Sequence, residues 1–150
     1  MATTTTAASD ATVELAMMAG GTVLASLTVP GHPEQVAGVR RFVRRMVGDA
    51  SPMAETAVLL ASELATNAVL HSASGQPGGS ATVLITEIGG GVRVEVADEG
   101  SAQSAPVVRG DIYASEGHGL FLVQSLADQW GYVRDETGTT VWFWLSYPAA

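Results

Sequence analysis

The sequence predicts an α/β two-layer sandwich, with a mixed, mostly antiparallel sheet of about five strands and three helices on one face. Three observations lead there. Short runs rich in Val, Ile, Thr and aromatic residues come in pairs separated by glycine-containing turns. Three Leu/Val/Ala-rich stretches carry apolar residues at helical spacing instead. The two kinds of segment follow one another as β-α-α-β-β-α-β-β, with a long glycine- and proline-punctuated segment before the last helix. With 47% hydrophobic and 15% charged residues in 150, the chain belongs with folded single domains and not with disordered ones.

Residues 1–20 read as a flexible N-terminal tail of Thr and Ala ending at Gly20-Gly21, with a short strand conceivable within Thr12–Met18. The domain proper is expected over 21–150. Thr22–Val29 is β-rich and stops at Pro30-Gly31, a first strand. His32–Asp49 reads as a helix. Val36, Val39, Phe42, Val43, Met46 and Val47 share its apolar arc, and Arg40, Arg41, Arg44 and Arg45 share the other. That basic face is either solvated or a docking surface for an acidic partner. After Ser51-Pro52 comes the central helix around Leu59–Ser72, LLASELATNAVLHS, without Gly or Pro. A helical wheel places Glu63 and Asn67 in the half that holds Leu59, Leu60, Leu64 and Leu70, the half expected to face the core. The opposite half holds Ala61, Ser62, Ala65, Ala68 and Val69. A carboxylate and an amide aimed at a core are costly unless something there needs them.

Residues 72–80 form a loop by composition. Ala81–Ile88 and Val92–Ala97, joined by three glycines, suggest an antiparallel hairpin with a loose turn. Ser101–Glu116 reads as a flexible, lid-like segment. A third helix is expected from Leu120 to about Gln129. The closing strand pair is expected at Gly131–Arg134 and Thr140–Tyr147.

The composition narrows the functions open to the chain. Without cysteine there are no disulfides and no thiolate metal sites. A net charge of -8 argues against general nucleic-acid binding. No basic residue precedes an apolar run near the N-terminus, and no stretch reaches membrane-spanning length, so the expected location is cytoplasmic. All seven basic residues are Arg. Any phosphate chemistry must therefore use backbone amides, a metal or Arg, and never the lysine of a P-loop.

Three separated pieces suit one nucleotide. Asp98 at a strand end, followed by Gly100, offers a carboxylate acceptor beside bare backbone, as an adenine amino group requires. Gly117-His118-Gly119 at a helix start offers free N–H groups and a positive dipole end to phosphates. Glu63 and Asn67, one turn apart, supply a base and a magnesium-binding oxygen. Each piece alone is common: Gly-x-Gly before a helix is often a mere tight turn.

In this order and spacing the pieces resemble the Bergerat ATP-binding fold of the GHKL superfamily. Glu63-x-x-x-Asn67-Ala68-x-x-His71 looks like its N box, Asp98-Glu99-Gly100 its first glycine box, and Gly117-His118-Gly119-Leu120 its second. The runs SELATNAVLHS, GHGLFLVQSLADQWG and GTTVWFWL look like the anti-sigma-factor serine/threonine kinase branch. The resemblance covers about Thr22–Leu145. It implies ATP and Mg²⁺ as ligands, with Asn67 on the metal and Glu63 as general base. It implies Asp98 and Gly100 at the adenine, with Thr140 supporting that pocket. Gly117, Gly119 and Leu120 would present amides to phosphate, and His71 would be structural. His118 stands where relatives often have Arg, and Ala102 where many have a second glycine. Arg109, a basic residue of the lid, could supply the missing charge.

The activity implied is phosphorylation of an anti-anti-sigma (STAS-type) partner by a kinase that also holds a sigma factor; a homodimer is compatible with it. The alternative is a nucleotide-dependent regulatory binding module without kinase turnover, to which His118 leaves the way open.

Overall fold

The computed structural model describes residues 20–71, 79–98, 118–135 and 138–148. The suggested N-terminal strand, the lid, Gly100, Arg109 and Gly117 lie outside the described residues. Strand β1 spans Thr22–Pro30 and a 3-10 turn Pro33–Gln35, followed by helix α1, Val36–Val47, and helix α2, Ala54–His71. Strands β2 (Ser80–Ile88) and β3 (Gly91–Ala97), helix α3 (His118–Leu126), and strands β4 (Gln129–Asp135) and β5 (Gly138–Ser146) complete it.

The sheet order is β1-β2-β3-β5-β4, antiparallel at every described pairing and not mixed. One face is dry. Val83 and Ile85 of β2, Val92, Val94 and Val96 of β3, and Val141, Phe143 and Leu145 of β5 join a single buried cluster with side chains of all three helices. Across that face α1 touches β1 and β2, α2 touches β2 and β3, and α3 touches α2 and β4. The helices therefore lie side by side on one face, α2 in the middle.

The stops are local chemistry. Pro30-Gly31 ends β1, Pro33 sits at the start of the 3-10 turn, and Gly48, at φ 100°, ends α1 with its N–H on the Arg44 carbonyl. The Ser51 hydroxyl accepts from the Met53 N–H at 3.3 Å, just before α2. The β2–β3 turn is tight where a loose one was expected. Gly89 and Gly90 have φ of 63° and 77°, and Ile88 pairs directly with Gly91. Two successive positive φ angles match the right-handed twist of a hairpin, and glycine adopts them without steric cost.

Helix α3 also ends earlier than its sequence suggests, at Leu126 and not near Gln129. Asp128 draws the chain away. Its N–H donates to the Trp144 carbonyl, and its carboxylate accepts from both the N–H and the hydroxyl of Ser146. Gln129 is thereby delivered opposite Trp144 as the first residue of β4.

The second sheet face carries Trp142 and Trp144, which lie across glycines of the neighbouring strands. A Cβ on Gly131 would come within 2.9 Å of the Trp142 ring, and one on Gly91 would collide with the Leu145 carbonyl and the Trp144 ring. Trp144 also donates its indole N–H to the Ile88 carbonyl at 2.8 Å. The Arg93 guanidinium sits 4.4 Å from the Trp142 ring centroid, with its Nε 3.1 Å from the Glu95 carboxylate but without hydrogen-bond alignment. Burial pushes the Glu95 carboxyl up, opposed by that Arg.

Two glycine substitutions should therefore act in opposite directions. Gly91→Ala should cost about 1–3 kcal/mol, because backbone as well as indole must move. Gly38→Ala, inside α1 with a new Cβ 3.7 Å from the Arg41 guanidinium, should gain about 0.5–1 kcal/mol. Urea denaturation of both variants against the parent measures this; a destabilised Gly38→Ala would contradict the open surroundings seen there.

Candidate functional site

The central helix is turned differently from the wheel expectation. Leu59 and Leu70 are exposed, at 39% and 61%, whereas Ala57, Ala61, Ala65 and Ala68 are buried together with Leu60 and Leu64. Ser62 is buried too, its hydroxyl donating to the Leu59 carbonyl at 3.0 Å. The small residues face inward because α2 lies between α1 and α3 and close to β2 and β3. A Leu on every side would hold those neighbours off. Glu63 and Asn67 are consequently half-buried on a margin of the buried arc and do not point into the core.

Which margin follows from the partners of the other one. On α1's side, Glu55 accepts from Arg44 at 2.6 and 3.5 Å, and Thr66, Val69 and Leu70 share a groove with Val36 and Arg40. Asn67 falls on the other flank, toward α3, while Glu63, seven residues before Leu70, shares the outer face of the helix with Leu70. Asn67 thus lies near the seam where α2 meets α3, the candidate trough, with Glu63 one turn before Asn67.

Asp98 follows the last residue of β3 and continues its ladder. Its N–H donates to the Thr139 carbonyl at 2.8 Å, and its Oδ1 accepts from the Thr139 N–H at 3.1 Å. By the alternation that puts Val92, Val94 and Val96 in the core, the Asp98 side chain falls on the helix-covered face. So does Thr139, in step with Val141, Phe143 and Leu145 and only 6% exposed.

Thr140, expected to support the pocket, pairs with Ala97 and Val133 and lies in step with Trp142 and Trp144 on the opposite face. The threonine beside Asp98 is Thr139, which the sequence reading passed over. The two are adjacent and alike in type. Strand parity separates them: counting back in twos from Phe143 in the apolar series Val141, Phe143 and Leu145 leads to Thr139.

Topology brings the remaining pieces to the same end of the sheet. Helix α3 hands its chain to Gln129, opposite Trp144, so its C-terminus lies at the far end and its N-terminus at His118 points toward the Asp98–Thr139 end. The backbone of His118, Gly119 and Leu120 forms the first turn there. Asn67, one turn before the end of α2, is returned to this end by the short link to Ser80, which pairs with Pro30. Among the described residues no three His, Asp or Glu cluster to hold a metal ion. An ion at Asn67 would take phosphate and water oxygens into its shell, as Mg²⁺ commonly does.

The topology thus gathers at one end of the sheet a strand-end carboxylate, a helix N-terminus and, along α2, Asn67 with Glu63 one turn before it. No helix among the described residues is long and apolar enough to cross a membrane. No curated protein matches the chain at a significant level. A family model does: that of the histidine kinase-like ATPase domain matches residues 29–145, from the end of β1 to the penultimate residue of β5. With the α/β sandwich, its antiparallel sheet of five strands and its three helices, this match shows that the chain belongs to the histidine kinase-like ATPase domain family, of the GHKL type.

Proposed function

We propose that this domain binds ATP with Mg²⁺ in the trough and transfers the γ-phosphoryl group to a serine or threonine of an anti-anti-sigma partner, holding a sigma factor in the other arm of the switch. The observation that carries the reading is Asn67 on the α3-facing flank of α2, with Glu63 one turn before it, at the sheet end where Asp98 accepts from the Thr139 N–H. A carboxylate held at a strand end is suited to reading the exocyclic amino group of adenine. The first-turn amides of α3 would take phosphate oxygens.

Phosphoryl transfer asks the protein mainly for positioning and charge compensation, with a base for the incoming hydroxyl. The Asn67 amide oxygen would hold Mg²⁺, which neutralises phosphate charge when bound. Glu63 would accept the proton as the hydroxyl oxygen bonds to phosphorus and the bond to the leaving diphosphate breaks. With Asp98 and the α3 amides fixing the two ends of the nucleotide, Glu63 needs only to reach the hydroxyl. Gly100, Arg109 and Gly117 enter as the family pattern places them, beside adenine and phosphates.

The adenine assignment is tested by calorimetry. Asp98→Asn should weaken ATP binding by about 1–3 kcal/mol, the scale of a hydrogen bond to a charged group. Thr139→Val should weaken it more than Thr140→Val, because only the former side chain shares the face of Asp98. Equal affinities throughout the series would remove adenine from this strand end.

Asn67→Ala should diminish the strengthening of ATP binding by magnesium while leaving the fold intact, as titrations with and without the ion would show. An unchanged magnesium effect would release Asn67 from that role.

Glu63→Gln keeps size and hydrogen-bonding reach but cannot take a proton. It should leave ATP binding in place and slow phosphotransfer to an anti-anti-sigma protein by about 10²–10⁴-fold, followed with radiolabelled ATP. Undiminished transfer would mean that the base lies elsewhere. A parent protein that binds ATP but phosphorylates no partner would favour the regulatory binding module, in which the nucleotide only sets the shape of the docking surface.

A further inference from the structure

A second concavity lies on the α1-facing side of α2, next to the face that carries Glu63 and Asn67. Helices α1 and α2 form an antiparallel pair whose closed end, at the 48–53 connection, carries the ion pairs of Arg44 with Glu55 and Asp49. Its open end holds a groove of about 210 Å³ lined by Pro33, Val36, Arg40, Thr66, Val69 and Leu70. The walls mix apolar and polar surface in similar shares. The Thr66 hydroxyl is occupied by the Ser62 carbonyl of its own helix at 2.8 Å, so Arg40 is the charged group at the lining. Leu70 stands 61% exposed at the rim. An apolar side chain left in water at the lip of a groove that also holds Val36 and Val69 is an incomplete contact.

The charges around the groove are distributed unevenly. The chain carries -8 overall, yet four of its seven basic residues fall on α1. Arg44 is engaged with Glu55, whereas Arg40, Arg41 and Arg45 are exposed and have no carboxylate partner among the described residues. Glu34, exposed in the 3-10 turn, is the acidic group on the same stretch. The expected basic face therefore divides in two. Arg44 ties α1 to α2, and Arg40 is left at the groove.

We infer that this groove docks an acidic, amphipathic segment of a protein partner. An aliphatic side chain of the partner enters between Val36 and Val69 against Leu70, and a flanking carboxylate pairs with Arg40. Charge complementarity selects this occupant. A second copy of an equally acidic chain would bring net repulsion everywhere outside the patch, and nucleic acid offers no aliphatic group for the groove. The inference stands on the α1–α2 surface and not on the nucleotide reading.

The test uses the whole chain and a displayed library of random short peptides. The enriched binders should combine Asp or Glu with Leu, Ile, Val or Met, and their affinity should fall as salt is raised. Arg40→Glu should weaken them about tenfold or more, and Leu70→Ser should weaken them as well, because each removes one half of the recognition. Both positions are solvent-facing, so circular dichroism and the thermal midpoint should stay at parent values. ATP affinity of Arg40→Glu should equal the parent's, which keeps the outcome separate from that of the nucleotide site. Binders that lack acidic residues, binders that hold Arg40→Glu as tightly as the parent, the absence of any enriched peptide, or self-association that conceals the patch would each overturn the inference.

Discussion

The close approach of α2 to the sheet is the constraint on which the rest depends. Its inward arc is Ala57, Ala61, Ala65 and Ala68, with Leu60 and Leu64, and all are buried. Small side chains let a helix axis come near its neighbours, and this one has three: the sheet beneath and a helix on either side. The same packing raises Glu63 and Asn67 out of the core to a margin where they are half-buried. Pointed inward, they would have required internal partners or a heavy desolvation cost. On the margin they remain available to a ligand while their backbone is held by the most deeply packed helix of the domain.

The sheet supports this from its other side by a different device. Trp142 and Trp144 lie over Gly131 and Gly91, filling the space that side chains on those residues would take. A flat indole on bare backbone buries a large apolar area and leaves little freedom for β5 to slide against β3 or β4. The registers of β3–β5 and β4–β5 set where Thr139 meets Asp98. A slip by one residue would exchange Thr139 for Thr140 and turn the strand-end carboxylate's partner away. The tryptophans on one face thus secure a polar contact on the other.

Helix α2 also serves two surfaces at once. Its α3-facing margin borders the trough and its α1-facing margin borders the arginine-edged groove. The two surfaces are neighbours along α2, because Leu70 of the groove lies three residues from Asn67. Arg44, Glu55 and Asp49 tie the opposite, closed end of the α1–α2 pair. The Arg44–Glu55 pair holds the Glu55 carboxyl below its ordinary range. Its contribution is therefore present at neutral pH and fades as acidification passes through that lowered value.

Much of this architecture is written locally. The periodicities, the glycine and proline stops and the order of elements specify an α/β sandwich with hairpins. The three motifs around Glu63, Asp98 and His118 specify its family and the chemistry it is suited to, because backbone conformation and residue type at fixed spacing suffice for that. What tertiary structure alone decided were orientations and ends. Bulk cannot tell which side of an apolar helix faces inward when both sides carry leucine; the close fit to three neighbours chose the alanines. Composition cannot separate Thr139 from Thr140; the pairing of β5 with β3 gave them opposite faces. Three consecutive glycines do not reveal a tight turn until Ile88 and Gly91 are seen to pair. Helical propensity would carry α3 to Gln129, and the long-range grip of Asp128 on Ser146 ends it at Leu126. In each case local preferences were nearly balanced, and a contact distant in sequence supplied the difference.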